Sequence, residues 1–434
     1  MSSAASVVLV VNTTSYRTGA FLEASRKLGA RVLLASDRCH VLDEHWTWPE
    51  GSLVIDFGAP EEAARVIVEA ARNPRFSPVR AVVAAAGEAA VVVAAMASGA
   101  LGLPSNAVSA ALAAGNKHTM RTICAAAGLP VPRFVCFDIA HNPEQAAAEV
   151  ETAVGWPCVL KPLLLSGSRG VLRADDAEGF LAAFARLCRL LRAPELEQAD
   201  VVASRQVLCE AFVPGAEVAL EGLLTRGVLR TLALFDKPDA LDGPFFEETL
   251  YVTPSRLPEP IQEAIVLATA AAAHALGLRT GPVHAEIRIP AHGPPIVLEI
   301  AARTIGGLCA ATLRFGAGLS LEELVLRHVL GEDMTAIQRQ AGATGVMMIP
   351  IPKGGVLRSV DGIDSARRVD GIEDIVLSMR VGEKVRPLPE GASYLGFIFA
   401  RGETPVFVER ALRTAHSRLS FAITPTLPVD PGGQ

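Results

Sequence analysis

The sequence predicts an α/β block followed by α+β architecture, and three observations carry that prediction. The first hundred residues alternate short apolar strands with helix-like blocks. Residues 206–235 read as a run of strands turned at PG and RG. Two further strands, VHAEIRI (283–289) and IVLEIAA (296–302), flank the turn PAHGPP and carry acidic residues among apolar ones.

Taken in order, VVLVV (7–11) is a short buried strand and TGAFLEASRKLG (18–29) has helical spacing with a terminal glycine. RVLLAS (31–36) is strand, PEEAARVIVEAARN (60–73) helix and VRAVVAAAG (79–87) strand, the pattern of a parallel sheet with crossover helices. The first turn, NTTSYRTG, lacks GxGxxG, which removes the best support for a dinucleotide oxidoreductase. A second block opens near Ser109 and runs through NKHTMRTICAAAGLPVPRF (116–134), where Gly128 ends a helix and two prolines force extended chain. CVLKPLLLSGSRGV (158–171) reads as strand, Gly/Ser loop and the start of another strand, and IQEAIVLATAAAAHALG (261–277) as helix. From about Gly342 the pattern is mixed strand and turn, and the tail LPVDPGGQ is expected to fray.

Composition bounds the function. The 434 residues suffice for about three domains at roughly 150 residues each. Half the residues are hydrophobic (50%) and 20% are charged, so a sizeable core can be buried. Lys+Arg 40 against Asp+Glu 46 gives a net charge of −6, and only 5% of residues are aromatic, which argues against nucleic acid as a partner. The seven cysteines form no CxxC pair and read as buried thiols in a reducing cytoplasm. The N-terminal apolar run is too short and too poor in basic residues for a signal peptide. Residues 81–103 contain Glu88 and several glycines, so they read as strand, turn and helix rather than a membrane span.

The chemistry concentrates in the paired strands. Alternation puts His284, Glu286 and Arg288 on one side of the first strand, while Glu299 sits among apolar residues of the second. Two carboxylates on adjacent strands form a hard-oxygen site suited to Mg²⁺, with Arg303 close by; a surface hairpin with an ordinary ion pair satisfies the same pattern. Lys161 precedes the loop SGSRG (166–170), whose small residues let backbone N–H groups approach phosphate oxygens, although a plain glycine turn is the commoner meaning. Lys117, at a helix start, and Lys237, in the loop FDKPD, read by default as solvated lysines. CEAFVPGAE (209–217) places Glu210 at a strand end and Glu217 beyond a turn, a hairpin that can read adenine and ribose or simply be polar.

The order of these pieces resembles the ATP-grasp superfamily over roughly residues 110–331: lysine, lysine with glycine loop, Glu–hairpin–Glu, HxE strand, then ExxxR followed by Gly-Gly. The resemblance implies two α+β lobes that clamp a nucleotide, preceded by a parallel α/β domain and followed by a lid. It implies domains at 1–112 (pre-ATP-grasp), 113–205 (small lobe), 206–338 (large lobe with the metal site) and 339–434 (C-terminal α+β lid). Carried over residue by residue, Lys117 and Lys161 are the nucleotide lysines, and Gly167 and Ser168 belong to the mobile phosphate loop. Glu210, Ala211, Phe212 and Val213 read adenine, with Glu217 at the ribose position. Glu286 and Glu299 hold Mg²⁺, with Mn²⁺ as the alternative ion, and Arg303 steadies the reacting carboxylate. Lys237 lies where relatives keep a cation near the γ-phosphate. Many relatives have ExN at the last strand; here the residues are Glu299-Ile300-Ala301, so Ala301 supplies no side-chain ligand and the coordination of a second ion is in doubt.

GPFFEETLYVTPSRLP (243–258), EIAARTIGG and the C-terminal GVMMIPIPKGG…YLGFIFARG are similar to the L-amino-acid ligase branch of the bacilysin-synthetase type. That similarity implies an ATP-dependent carboxylate–amine ligase forming a dipeptide or amino-acid conjugate through an acyl phosphate. Its substrates are a small carboxylate and an amine, both amino acids, with no membrane partner; the family also admits a homodimer. Glu248, Tyr251, Arg288, Arg303, Gly306 and Gly307 are the expected substrate residues. Tyr251 replaces a histidine of several such ligases, and Gly306 and Gly307 leave room for a bulkier acid and are expected to open a helix at Leu308 whose N-terminus favours an anion. His284 is expected to orient a carboxylate or relay a proton, with a hydrogen-bonded structural histidine as the plainer reading. The competing readings are a biotin-carboxylase-like, carboxyphosphate-forming enzyme and an inactive nucleotide-binding regulatory protein.

Overall fold

The computed structural model describes residues 5–13, 15–37, 50–193, 196 and 202–426; the tail LPVDPGGQ and Cys39 lie outside them. The chain divides into two compact units. The first comprises residues 1–131, 218–234 and 257–341, and the second residues 132–217, 235–256 and 342–434.

The first unit opens with the expected parallel sheet, in the order Gly51–Val54, Arg31–Ser36, Ser6–Val11, Val79–Ala84. Every residue of the central strand Ser6–Val11 is buried, as a strand covered on both faces requires. Val8, Val10, Leu33, Ile67, Ala90 and Val93 form its core against the helices Pro60–Ala71 and Glu88–Ala100. The direction of winding reverses beside the central strand, and Glu88 lies just past the carboxyl end of Val79–Ala84, where open α/β sheets place ligands.

The same unit contains Gly281–Ile289 and Ile296–Ala301 as an antiparallel pair, followed in sheet order by the strands Ala216–Thr225 and Val228–Lys237, of which residues 218–225 and 228–234 belong to it. Val283, Ala285, Ile287 and Ile300 face a core shared with Met120, Ile265 and Ala272 from the helices Lys117–Ala126 and Glu259–Ala275. Their alternation with His284, Glu286 and Arg288 is what turns the polar residues to the other face. The register shifts after Glu286, so that Ile287 pairs with Val297 and Leu298 is the extra residue of a bulge. Arg121, 1% exposed, donates to the carbonyls of Val297 at 2.7 Å and Leu298 at 3.0 Å, fixing the bulge from the helix that begins at Lys117.

The second unit contains a four-stranded antiparallel sheet, Phe134–Asp138, Gln206–Ala211, Cys158–Pro162, Leu172–Ala174. Phe180, Phe184 and Leu187 of helix Ala177–Leu191 cover it, meeting Leu160, Val207 and Cys209. The unit also holds Leu250–Thr253, Ala343–Ile349, Gly396–Gly402 and Ile372–Leu377, antiparallel in that order and covered by helix Pro405–His416. A three-stranded sheet, Lys384–Val385, Gly355–Asp361, Ser420–Thr424, completes it. No helix among the described residues is long and apolar enough to cross a membrane.

Replacing Arg121 with Met keeps most of the side-chain volume but leaves two buried carbonyls without their donor. The expected cost is on the order of 3 kcal/mol, read as a lower urea midpoint; an unchanged midpoint contradicts this role.

Candidate functional site

In the first unit, Glu286 and Glu299 stand directly opposite one another across the antiparallel pair. Their side chains are 26% and 28% exposed, accessible yet partly withdrawn from water. Two carboxylates in register repel, and cations collect beside them. Lys117 Nζ, on the first residue of its helix, lies 3.3 Å from Glu299. Arg303, two residues beyond the end of the Glu299 strand, donates from Nε to Glu88 at 2.8 Å and from Nη1 to the carbonyl of Thr304 at 3.0 Å. Burial lowers the Arg303 pKa, but the charges of Glu88 and Glu299 outweigh it and raise the value, so the guanidinium stays charged. The hard oxygens of Glu286 and Glu299, exposed side by side, fit a divalent cation, and Ala301 adds no donor.

His284 is 7% exposed, with Nδ1 3.2 Å from Glu221 and Nε2 3.8 Å from Glu286. Burial lowers its pKa, but the hydrogen bonds of Glu221 and Glu286 overcome that and push it up to about 9. Burial also pushes the fully enclosed Glu221 carboxyl up, opposed by His284 and by the Ile305 amide. With such partners we take the pair as carboxylate and imidazolium. Arg288 is 2% exposed on the same strand.

The loop after Arg303 departs from expectation. Gly306 and Gly307 form a turn, with Gly307 at φ +58°, but no α-helix opens at Leu308; a four-residue 3₁₀ turn, Cys309–Thr312, takes its place. So short a turn accumulates little dipole, and it offers no helix-start site for an anion.

In the second unit, Lys161 lies in the strand Cys158–Pro162 and pairs with Glu210 of the neighbouring strand at 2.7 Å. Glu210 is 1% exposed, and in the adjoining segment the N–H groups of Ala211 and Phe212 donate to the carbonyls of Arg133 and Pro157, both at 2.9 Å. Gly167 (φ +63°) and Ser168 (φ +55°) both take the left-handed conformation in the loop 166–170. That conformation is ordinary for Gly167 and uncommon for Ser168. Gly170 N–H donates to Pro389 O at 2.9 Å and Arg169 Nε to Glu390 O at 2.9 Å, tying the loop to the 389–390 segment.

Lys237 corrects another expectation. It ends the strand Val228–Lys237 rather than lying in a loop, and it is 7% exposed rather than solvated. Its ammonium donates to Glu217 at 2.7 Å and to Glu248. Tyr251 O–H donates to Glu248 at 2.9 Å, and the ammonium lies 5.0 Å from the Tyr251 ring centroid.

Sequence reasoning missed Glu88, Glu221 and Arg17. Glu221 left a signal, a lone acid in the apolar run VALEGLL (218–224), the same signal that singled out Glu299. Arg17 and Glu88 left none, because their partners are hundreds of residues away.

Residues 154–312 match the ATP-grasp domain family, and residues 347–424 match the L-amino acid ligase C-terminal domain 2 family. The crystal structure of an L-amino acid ligase from Bacillus licheniformis superposes with a TM-score of 0.80 at 25% identity, covering 96% of this chain and 98% of that one. Alanine–anticapsin ligase of Bacillus subtilis (strain 168) is 28% identical over 238 residues, 52% of this chain and 49% of that protein. An uncharacterized protein, y4rH, of Sinorhizobium fredii is 27% identical over 319 residues, 71% of this chain and 61% of that one. The chain thus spans about half to three-fifths of the length of these curated relatives.

The His284 pKa yields a prediction about stability. Its folded value, about 9, lies above the ordinary 6.5, so the stabilisation is complete below pH 6.5 and is lost as pH rises through about 9. The gap in melting temperature between the native protein and His284→Gln is therefore widest below about pH 6.5 and narrows towards about pH 9; a gap independent of pH contradicts the ion pair.

Proposed function

The chain carries an ATP-grasp domain followed by an L-amino acid ligase C-terminal domain, and on that premise we propose that it is an ATP-dependent carboxylate–amine ligase. It joins an amino acid to an amine, a second amino acid in the simplest case, through an acyl phosphate, and it releases ADP and phosphate. The observation that carries the reading is the registered pair Glu286 and Glu299, with Lys117 and Arg303 beside it. Free thiols at Cys124, Cys158 and Cys209 suit a reducing cytoplasm as its setting.

A carboxylate and a triphosphate repel one another, and a carboxylate is a poor electrophile until it is activated. Groups of the second unit bind the nucleotide: backbone of Ala211–Val213 for adenine, Glu217 for ribose, and Lys161 with the 166–170 loop for the phosphates. Lys237 stands at the γ-phosphate end as an ordered cation whose charge Glu217 and Glu248 already offset. Groups of the first unit serve the reacting end. Mg²⁺ or Mn²⁺ held by Glu286 and Glu299 would neutralise triphosphate oxygens. Arg303 orients the acid's carboxylate and spreads the charge that develops on the transferring phosphoryl group. His284, set between Glu221 and Glu286, orients the latter carboxylate. The acid's oxygen takes the γ-phosphoryl group and ADP leaves; the amine then attacks the acyl carbon and phosphate departs. No protein nucleophile is needed, but water must be excluded from the acyl phosphate. Glu248, Tyr251, Arg288, Gly306 and Gly307 shape the substrate pocket.

A match to an L-amino acid ligase C-terminal domain favours amide formation over carboxylation, and the intact acidic pair argues against an inactive regulator. The test is phosphate release from ATP and Mg²⁺ with pairs of amino acids, followed by the mass of the product. Release is expected to need an amino acid and to yield a condensed product, and Glu299→Gln is expected to lower it on the order of 100-fold or more. Hydrolysis stimulated by bicarbonate and not by amino acids overturns the ligase reading, and full activity of Glu299→Gln overturns the metal assignment.

A further inference from the structure

Behind the loop that carries Arg303 and the glycine pair runs a buried polar chain within the first unit. Both backbone polar groups of Ile305 end on buried charges. Its N–H donates to the two Glu221 oxygens at 3.2 and 3.0 Å, and its carbonyl accepts from Arg17 Nη1. Each charge is braced in turn: His284 Nδ1 lies 3.2 Å from Glu221, and Glu322 lies 2.5 Å from Arg17 Nη2. Glu221 is 0% exposed and Arg17 is 3% exposed.

Stability alone does not call for this arrangement. Charges withdrawn from water carry a desolvation cost that their mutual attraction only partly offsets, and apolar residues of equal volume often serve the fold as well. What opposed charges on the two peptide units flanking one residue do supply is a fixed position. The loop needs it: a Cβ on Gly306 would meet no atom within 4 Å, and Gly307 has no side chain to pack. Ile305 is two residues past Arg303 and immediately before the glycines, so its backbone is the point at which this stretch can be held.

We propose that Glu221 and Arg17 are positioning residues that clamp the backbone of Ile305 from both sides and thereby set Arg303 and the Gly306–Gly307 turn for the carboxylate of the acid substrate. This rests on the ligase reading of the same site. The clamp acts on the acid and not on adenine, so its loss separates the two substrates.

The test uses the full chain with Glu221→Gln, Arg17→Lys and the double variant, each checked for folding by circular dichroism. Acyl phosphate is trapped with hydroxylamine in the presence of ATP, Mg²⁺ and the acid most active in the phosphate-release screen. The expected result is a fall in kcat/KM for the acid of roughly 10- to 100-fold. Affinity for a non-hydrolysable ATP analogue stays within about twofold, and the double variant is hardly worse than the poorer single one, because both act through the backbone of one residue. Unchanged acid kinetics in a folded variant, equal losses for acid and nucleotide, or additive losses each overturn the proposal. Hydrogen exchange over residues 302–308 reads the clamp without turnover: faster exchange in either single variant supports it, and unchanged exchange in both overturns it. If the native protein activates no acid, the ligase reading falls while the exchange result still decides whether the clamp exists. Should Glu221→Gln fail to fold, Arg17→Lys carries both measurements.

Discussion

Two carboxylates facing each other on neighbouring antiparallel strands are the constraint on which the rest of the first unit depends. Directly paired residues on such strands have Cβ atoms about 5 Å apart, so Glu286 and Glu299 repel unless positive charge stands close. Lys117, Arg303 and His284 supply it from a helix start, a loop and the same strand respectively. Arg121 fixes the bulge beside the pair, and Glu221 fixes His284 and the Ile305 amide. Much of the buried charge in this unit thus serves to hold one acidic patch open at a defined place.

Under the proposed function the second unit meets a different demand, the recognition of a flat base and a flexible polyanion. Its cations are already neutralised by internal partners, Lys161 by Glu210 and Lys237 by Glu217 and Glu248. Such pairing holds the lysines in fixed geometry, so that a phosphate meets an ordered charge rather than a mobile one. The loop 166–170 is likewise fastened at Arg169 and Gly170 by the 389–390 segment, which lies within the residues matching the L-amino acid ligase C-terminal domain. The turn at Pro389 and Glu390 therefore helps to set the 166–170 loop.

The features legible in the sequence were those set by local periodicity. The parallel sheet rests on short apolar runs and the facing of His284, Glu286 and Arg288 on alternation within a few residues, and both stand as expected; the hairpin expected across Pro214-Gly215 does not form, because Gln206–Ala211 and Ala216–Thr225 pair in different sheets. The expected acids fall in register because two adjacent strands joined by a short turn have little freedom to slip. The features that escaped notice depended on distant packing. Lys237 looked solvated because FDKPD is polar, yet Glu217 and Glu248 enclose it. Arg17 and Glu322 meet across 305 residues of chain. The helix expected at Leu308 reduces to one 3₁₀ turn, because paired glycines signal a bend in the chain but do not fix the conformation of the residues beyond it.

Calorimetric titration of the full chain with a non-hydrolysable ATP analogue tests the central claim most directly, with Mg²⁺ present or withheld and with Glu286→Gln alongside the native protein. Saturable uptake that tightens with Mg²⁺ in the native protein, and loses that gain in Glu286→Gln, is the predicted result. No heat of binding under any condition, or a magnesium effect untouched by the substitution, contradicts the account.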